Sequence, residues 1–258
     1  MGYPDLAVKP HFLGYAIGRV IRAISTAVVI LALSLFMMSQ NPKPSHCSSA
    51  AGEIVASYVP HEIQINAARP APEWKKAEVA SFCTDWQGND PDPARLTQVR
   101  VLWSDTTLYL RFECKYRELD VFPDSDANGR RDHLWDRDVT EAFLQPDPSR
   151  ERYYKEFEVS PNGMWIDLDI SPGPLQDLRS GMMRSVVINE RSRTWTAELA
   201  IPLQALTAKF DPTAVWGVNF YRVEGKSEPR SYLAWQPTNT PQPNFHVPSA
   251  FGRLKFRH

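Results

Sequence analysis

The chain has 258 residues, and its 29 Lys and Arg against 30 Asp and Glu give a formal net charge of −1. There is no basic excess and no basic stripe, so the electrostatic footprint of a nucleic-acid binder is missing. Hydrophobic residues make up 43% of the chain and 22 Pro outnumber 12 Gly. That is enough apolar surface for a core, in a chain too rich in proline for long helices.

Lys9, Arg19 and Arg22 precede an uncharged apolar run over residues 23–38. A basic stretch followed by a short apolar run is the pattern of an export signal. The run is shorter than the roughly 20 residues that span a bilayer comfortably. It fits both a cleaved signal peptide and an uncleaved anchor with its N-terminus in the cytoplasm. Either way the remainder is placed outside the cytoplasm, periplasmic or extracellular, and an anchor would make the membrane a partner. Residues 39–60 are dominated by Ser, Pro and Ala, with no sustained apolar period, and read as a linker. The folded domain is then expected over 61–258.

The cysteines are Cys47, Cys83 and Cys114, and no C-x-x-C supports a zinc ribbon. In an exported chain Cys83 and Cys114 can pair, leaving Cys47 alone. Unpaired, both are small buried hydrophobes.

Strand signals begin after residue 60. Val99, Val101 and Trp103 form one alternating run, and the turn Ser104-Asp105-Thr106 follows. Leu108, Leu110, Phe112, Cys114 and Tyr116 then alternate with polar or mixed neighbours, the two-residue period of a strand with one buried face. Lys155, Phe157 and Val159 alternate likewise, closed by Pro161-Asn162-Gly163. Ile166, Leu168 and Ile170 give the next strand, Trp195 to Ile201 another, and Trp216, Val218 and Phe220 another. Arg253 to Phe256 reads as the last strand, and Leu203–Leu206 as one short helical turn. No internal repeat is visible. Many short strands between Pro, Gly, Asn and Asp turns predict an all-β fold, a jelly-roll-like sandwich of two antiparallel sheets.

Asp124-Ser125-Asp126-Ala127-Asn128-Gly129 matches the first half of a calcium loop, with Asp132 or Asp136 as further oxygen donors. The place of the bidentate Glu holds Trp135, so a solvated acidic turn is the alternative. The cofactor these residues admit is a structural Ca2+ held by Asp124, Asp126, Asn128 and Asp132. Two further chemistries have weaker signals. Glu141 and Glu158 would serve a glycoside hydrolase if they stood about 5–10 Å apart across a cleft. His133, Met164, Met182 and Met183 are residue types that ligate haem, though no motif ties them together. No G-x-S-x-G and no phosphate loop is present.

A series of short motifs is similar to one known family. Glu73-Trp74 precedes Ala77, and Val99–Trp103 precedes Leu108-Tyr109-Leu110. Leu134-Trp135-Asp136-Arg137-Asp138-Val139-Thr140-Glu141 continues to Leu144. Trp195–Pro202, Trp216–Phe220 and Pro248-Ser249-Ala250-Phe251-Gly252-Arg253-Leu254 follow in order. Together these stretches resemble the family 9 carbohydrate-binding modules. The resemblance implies a noncatalytic β-sandwich that holds a sugar between two aromatic rings. Trp135 matches the Trp of the family's W-x-x-D-x-x-E pattern and Glu141 its acidic residue. Phe245 stands where the family carries a second ring, a Trp, and Glu158 where it carries a basic side chain.

The residue chemistry supports an oligo- or polysaccharide partner independently. Flat aromatic side chains bury the C–H faces of a sugar, and carboxylates and amides bond its hydroxyls. Trp135, Asp138, Glu141, Gln242, Asn244 and Phe245 supply such a set. The competing role for Trp135 is core packing, which the acidic neighbours Asp132, Asp136 and Asp138 argue against.

Overall fold

The computed structural model describes Cys47, residues 52–226 and residues 229–258. The apolar run over 23–38, and with it the signal or anchor reading, lies outside the described residues. Among the described residues no helix is long and apolar enough to cross a membrane. The fold is all-β, as the alternation predicts, and the described residues form 13 strands and a single α-helical turn, α1 (Leu203–Leu206).

One half of the sheet is built from β3 (Thr97–Trp103), β4 (Thr107–Lys115), β9 (Met183–Asn189) and β10 (Thr194–Pro202), with β2 (Val79–Phe82) beside β3. The other half contains β5 (Val139–Gln145), β6 (Tyr154–Val159), β7 (Trp165–Ile170), β8 (Gln176–Asp177), β11 (Trp216–Glu224) and β12 (Ser231–Ala234). Two strands join the halves, β1 (Glu53–Tyr58) and β13 (Gly252–Arg257). β13 pairs with β11, and β1 pairs with β13 on one side and β3 on the other.

This corrects two expectations. The hydrogen-bonded path runs unbroken from β8 to β9, so there is one curled sheet rather than two separate ones. Both pairings of β1 are parallel, so the sheet is not purely antiparallel. The segment 39–60 is also not simply a linker. Ile54, Val55 and Ala56 are buried in β1, a six-residue strand at the end of a segment otherwise rich in Ser, Pro and Ala.

The cysteine pairing differs as well. Cys47 bonds Cys83, at a Cα–Cα distance of 4.8 Å, and Cys114 is free and buried. The reason is the direction of the β4 side chains. Cys114 lies opposite Thr97 and Trp195 in its ladders and points into the closed core, where burial pushes its thiol up to about 11. Cys83 follows the end of β2.

Packing explains the strand pattern. Val99, Val101, Leu108, Leu110, Phe112, Trp195, Ala197, Leu199 and Ile201 from one half meet Ala142, Leu144, Phe157, Val159, Val218 and Phe220 from the other in a single core. The glycine of the Pro248–Gly252 motif is demanded by close approach. A Cβ at Gly252 would fall 2.6 Å from the Trp235 ring and 2.7 Å from the Gly52 carbonyl oxygen. At one edge of this core an ion pair is fully enclosed. Arg222 donates from Nη2 to Glu224 at 2.6 Å, and Glu224 also accepts from the Arg117 backbone N–H at 2.8 Å.

The outer faces are not simply solvent faces. A second apolar cluster covers the outside of β5, β6, β7 and β11, built on Val139, Phe143, Tyr154, Ile166, Leu168, Tyr221 and Val223. The loops carrying Leu134 and Phe245 pack down onto it. These strands therefore carry buried side chains on both faces, which a reading based on simple alternation leaves open.

Candidate carbohydrate-binding site

The site lies on this second, covered face. The strand pairings fix its floor. Tyr221, Glu141, Glu158 and Ile166 stand side by side across β11, β5, β6 and β7, and Asn219, Phe143, Glu156 and Leu168 form the next row. Loops wall an open-mouthed cavity of about 240 Å³ above this floor. Its walls include Trp135, Asp136, Arg230, Tyr232, Asn244 and Phe245, and its base includes Glu141 and Glu156. The volume falls just under the roughly 300 Å³ at which ordinary small-molecule pockets begin, and the recess opens to solvent beside Asn244.

Trp135 is placed by its neighbour. Leu134 is fully buried in the outer cluster and pulls the short 3-10 turn Leu134–Asp136 down onto the sheet. That leaves Trp135 half-buried at the cavity wall, with the His133 ring 4.8 Å away. Its carbonyl oxygen accepts from Arg230 Nη1 at 3.1 Å. Phe245 is more enclosed. Its ring stacks flat on Tyr221, with centroids 4.2 Å apart and planes 10° apart, and the Tyr221 hydroxyl donates to its carbonyl oxygen at 3.0 Å. Tyr232 meets Phe245 edge-on at 6.3 Å.

Trp135, Glu141, Asn244 and Phe245 are thus brought to one cavity. Asn244 is exposed at its rim, where its side-chain oxygen accepts from the His246 backbone N–H. Three other expected residues do not line it. Asp138 is 1% exposed and accepts from the backbone N–H groups of Asp120 and Gly225, so it ties the loop after β4 to the end of β11. Burial pushes that carboxyl up to about 6. Gln242 is exposed and sits outside the cavity, with its carbonyl oxygen accepting from Thr240. Glu158 lies beneath the lining residues at 0% exposure.

The residues that sequence reasoning missed are Glu156, Arg230, Tyr232 and His246. A signal existed for Glu156. It sits two residues before Glu158 and so shares its face of β6. Nothing in the sequence indicated that loops cover that face.

The electrostatics concentrate in three carboxyls. Glu141, Glu156 and Glu158 are all buried, and each places an oxygen within 4.8 Å of the others. One oxygen of Glu156 and both oxygens of Glu158 lack any donor apart from a proton shared between the two carboxyls. Burial first, then the charges of Glu141 and Glu156, push the Glu158 carboxyl well up. Burial and the Glu156 charge do the same to Glu141, while the Arg230 charge opposes the shift. At neutral pH such a group holds shared protons or a cation.

The hydrolase geometry is not met. Glu141 and Glu158 are direct partners on adjacent strands of one floor rather than opposite walls of a cleft. The haem-type residues do not converge. Met164 is in the outer cluster, Met182 in the main core, and Met183 is exposed. The acidic loop is tied up within itself. Asp126 Oδ1 accepts from the backbone N–H groups of Asn128 and Arg130, and the Asn128 carbonyl accepts from Trp165 Nε1 and Arg184. Asp132 pairs with Arg130, and Asp124 approaches Arg131 at 4.0 Å. Among the described residues the single acidic grouping within metal-ligand reach is the Glu141, Glu156 and Glu158 cluster.

Known proteins match this chain over most of its length. A curated "Extracellular protein" from Arthroderma benhamiae is 28% identical over 188 residues, 65% of this chain and 81% of that one. A putative carbohydrate-binding protein from Bacteroides uniformis superposes with a TM-score of 0.65 at 17% identity, covering 81% of this chain and all of that one. A family 9 carbohydrate-binding module from Caldicellulosiruptor kristjanssonii, solved with cellotriose, gives 0.57 at 17% identity over 80% of this chain and 93% of that one. The same organism's module with glucose gives 0.55 at 16% identity, covering 80% and 95%. At these identities the solved structures speak for the fold alone. Residues 65–258 match the family described as Carbohydrate family 9 binding domain-like, and the chain belongs to that family.

Proposed function

We propose that the chain is a noncatalytic carbohydrate-binding module acting outside the cytoplasm, with a sugar ring held in the cavity between Trp135 and the Tyr232–Phe245 wall. The observation that carries this reading is the cavity itself, a small recess with aromatic walls and buried carboxyls. Aromatic faces suit the C–H face of a pyranose, and carboxyls suit its hydroxyls. The solved relatives named above, with cellotriose and glucose, support the ligand class.

Action outside the cytoplasm draws on three observations: the basic flank and apolar run over 23–38, the Cys47–Cys83 bond, and the extracellular relative. The run serves as export signal or membrane anchor. The test is a glycan array followed by calorimetry on the purified chain. Trp135→Ala weakens binding by about 1–3 kcal/mol, roughly fivefold to 150-fold, with an unchanged circular dichroism spectrum. Wild-type affinity retained in Trp135→Ala would remove this cavity as the site.

A further inference from the structure

The aromatic lining of the cavity does not stop at its edge. Arg230 and Tyr232 also wall a second open recess of about 390 Å³, whose lining includes Asp85, Trp86, Asp90 and Ser231. Phe245 meets Tyr232 at 6.3 Å, and Tyr232 meets Trp86 edge-on at 6.4 Å with planes 89° apart. A row of three rings therefore runs from the first recess into the second. Tyr232 comes to it from β12, and Trp86 from the loop that follows β2.

Trp86 is fixed there without being part of the core. It is half-buried, its Nε1 donates to the Thr240 carbonyl oxygen at 2.8 Å, and its own carbonyl accepts from the Thr238 backbone N–H at 2.8 Å. The ring is thus held before any ligand arrives, which lowers the ordering cost of binding. The charged side chains around it are committed to other partners. Asp92 pairs with Arg95 and Arg117, and Asp85 Oδ1 accepts from the backbone N–H groups of Gln87 and Asn89. Among the described residues the Tyr232 and Ser231 hydroxyls and the Asp90 carboxylate make no hydrogen bond. A held ring, paired charges and open polar groups suit a neutral ligand with an apolar face and hydroxyl edges better than an ion.

We propose that this recess is a second sugar subsite, with Trp86 as its platform, and that it takes a further unit of the glycan whose first ring sits at Trp135. The occupant follows from continuity, because the two recesses share Arg230 and Tyr232 and the row of rings joins them. This rests on the carbohydrate-binding reading and extends it from single sugars to oligosaccharide chains. A unit tethered to one already bound meets its subsite at high effective concentration, so the second contact adds to affinity.

The experiment is calorimetry on the purified chain with glucose and cellotriose, read as the ratio of their affinities within each variant. Cellotriose binds the wild type about tenfold tighter than glucose or more. Trp86→Ala cuts that ratio by about fivefold or more, with the loss falling on cellotriose. Trp86→Phe keeps a ring but drops the bond to Thr240, and it holds the ratio to within about threefold of wild type. Because each ratio is internal to one variant, a general loosening of the loop lowers both affinities and leaves it unmoved. A ratio that survives Trp86→Ala overturns the second subsite. So does a ratio lost equally in Trp86→Ala and Trp86→Phe, which makes Trp86 a loop anchor, or equal wild-type affinity for the two sugars. In each of these cases the carbohydrate reading stands. Binding of neither sugar overturns both.

Discussion

Glu158 offers a direct measure of what the buried carboxyl cluster costs the fold. The side chain is 0% exposed, and its hydrogen-bond partner is the neighbouring Glu156 carboxyl, with which it shares a proton. In the unfolded chain a Glu titrates near 4.3. In the folded chain burial and the neighbouring glutamates hold the proton on to higher pH. Between those limits the unfolded state has released a proton that the native state keeps, so stability falls as pH rises. Asp138, pushed up to about 6, and Glu141 act in the same sense. Glu158→Gln removes the titration and supplies an amide that donates to the neighbouring carboxyls.

The expected gain at pH 7.5 is about 1–3 kcal/mol, the cost of a buried acceptor left without a donor once the shared proton is lost. At about 2–4 °C per kcal/mol for a domain of this size, Tm rises by a few degrees to roughly 12 °C. At pH 4.5 the wild-type carboxyl already holds its proton, and the gain shrinks toward zero. Urea unfolding at the two pH values, with an unchanged denaturant slope, reads both quantities. A loss of stability at pH 7.5, or an equal gain at both pH values, would refute the argument.

Other expectations follow from the same contacts. Arg222→Ala leaves Glu224 buried without its main counter-charge and destabilises the fold by about 3–5 kcal/mol in chemical denaturation. Millimolar calcium leaves the melting curve of the wild type unchanged, because Asp126 Oδ1 is taken by backbone N–H groups and Asp132 by Arg130. A calcium-dependent rise in Tm that Asp126→Ala abolishes would restore the calcium loop. A fragment beginning at His61 lacks β1 and Cys47 and unfolds at lower urea than the full chain. Cys47→Ser isolates the disulfide's share, about 3–4 kcal/mol for a closed loop spanning 36 residues. Equal midpoints for the His61 fragment and the full chain would show that β1 is dispensable.

The strands of the main core were legible because their core-facing apolar residues recur at every second position, even where, as in β4, the residues between them are buried too. Leu108, Leu110 and Phe112 alternate with polar or mixed neighbours, and that pattern survives without knowing the fold. β1 was not legible, because Ile54, Val55 and Ala56 are consecutive buried residues beside two parallel partners and show no alternation. β9 escaped for the opposite reason, as a partly exposed edge whose Met183 and Ile188 face outward. In the site, Trp135 and Glu141 were legible through motif spacing. Tyr232 and Arg230 come from a hairpin distant in sequence, and only the sheet pairing of β11 and β12 brings them over β5. Asp138 was misassigned because spacing reports proximity and not direction. Its oxygens turn to backbone N–H groups instead of the cavity.

The parallel placement of β1 also decides how the domain bears mechanical load. Tension between the N-terminal side of the chain and its C-terminus draws β1 and β13 in opposite directions along a shared axis. Such a ladder is sheared with all its rungs strained together, which resists rupture far better than peeling one rung at a time. The Cys47–Cys83 bond adds a second path, since force arriving from the N-terminal side meets Cys47 before β1 and passes to the end of β2. While that bond is intact β1 is shielded from the pull, and its reduction transfers the load to the β1–β13 seam.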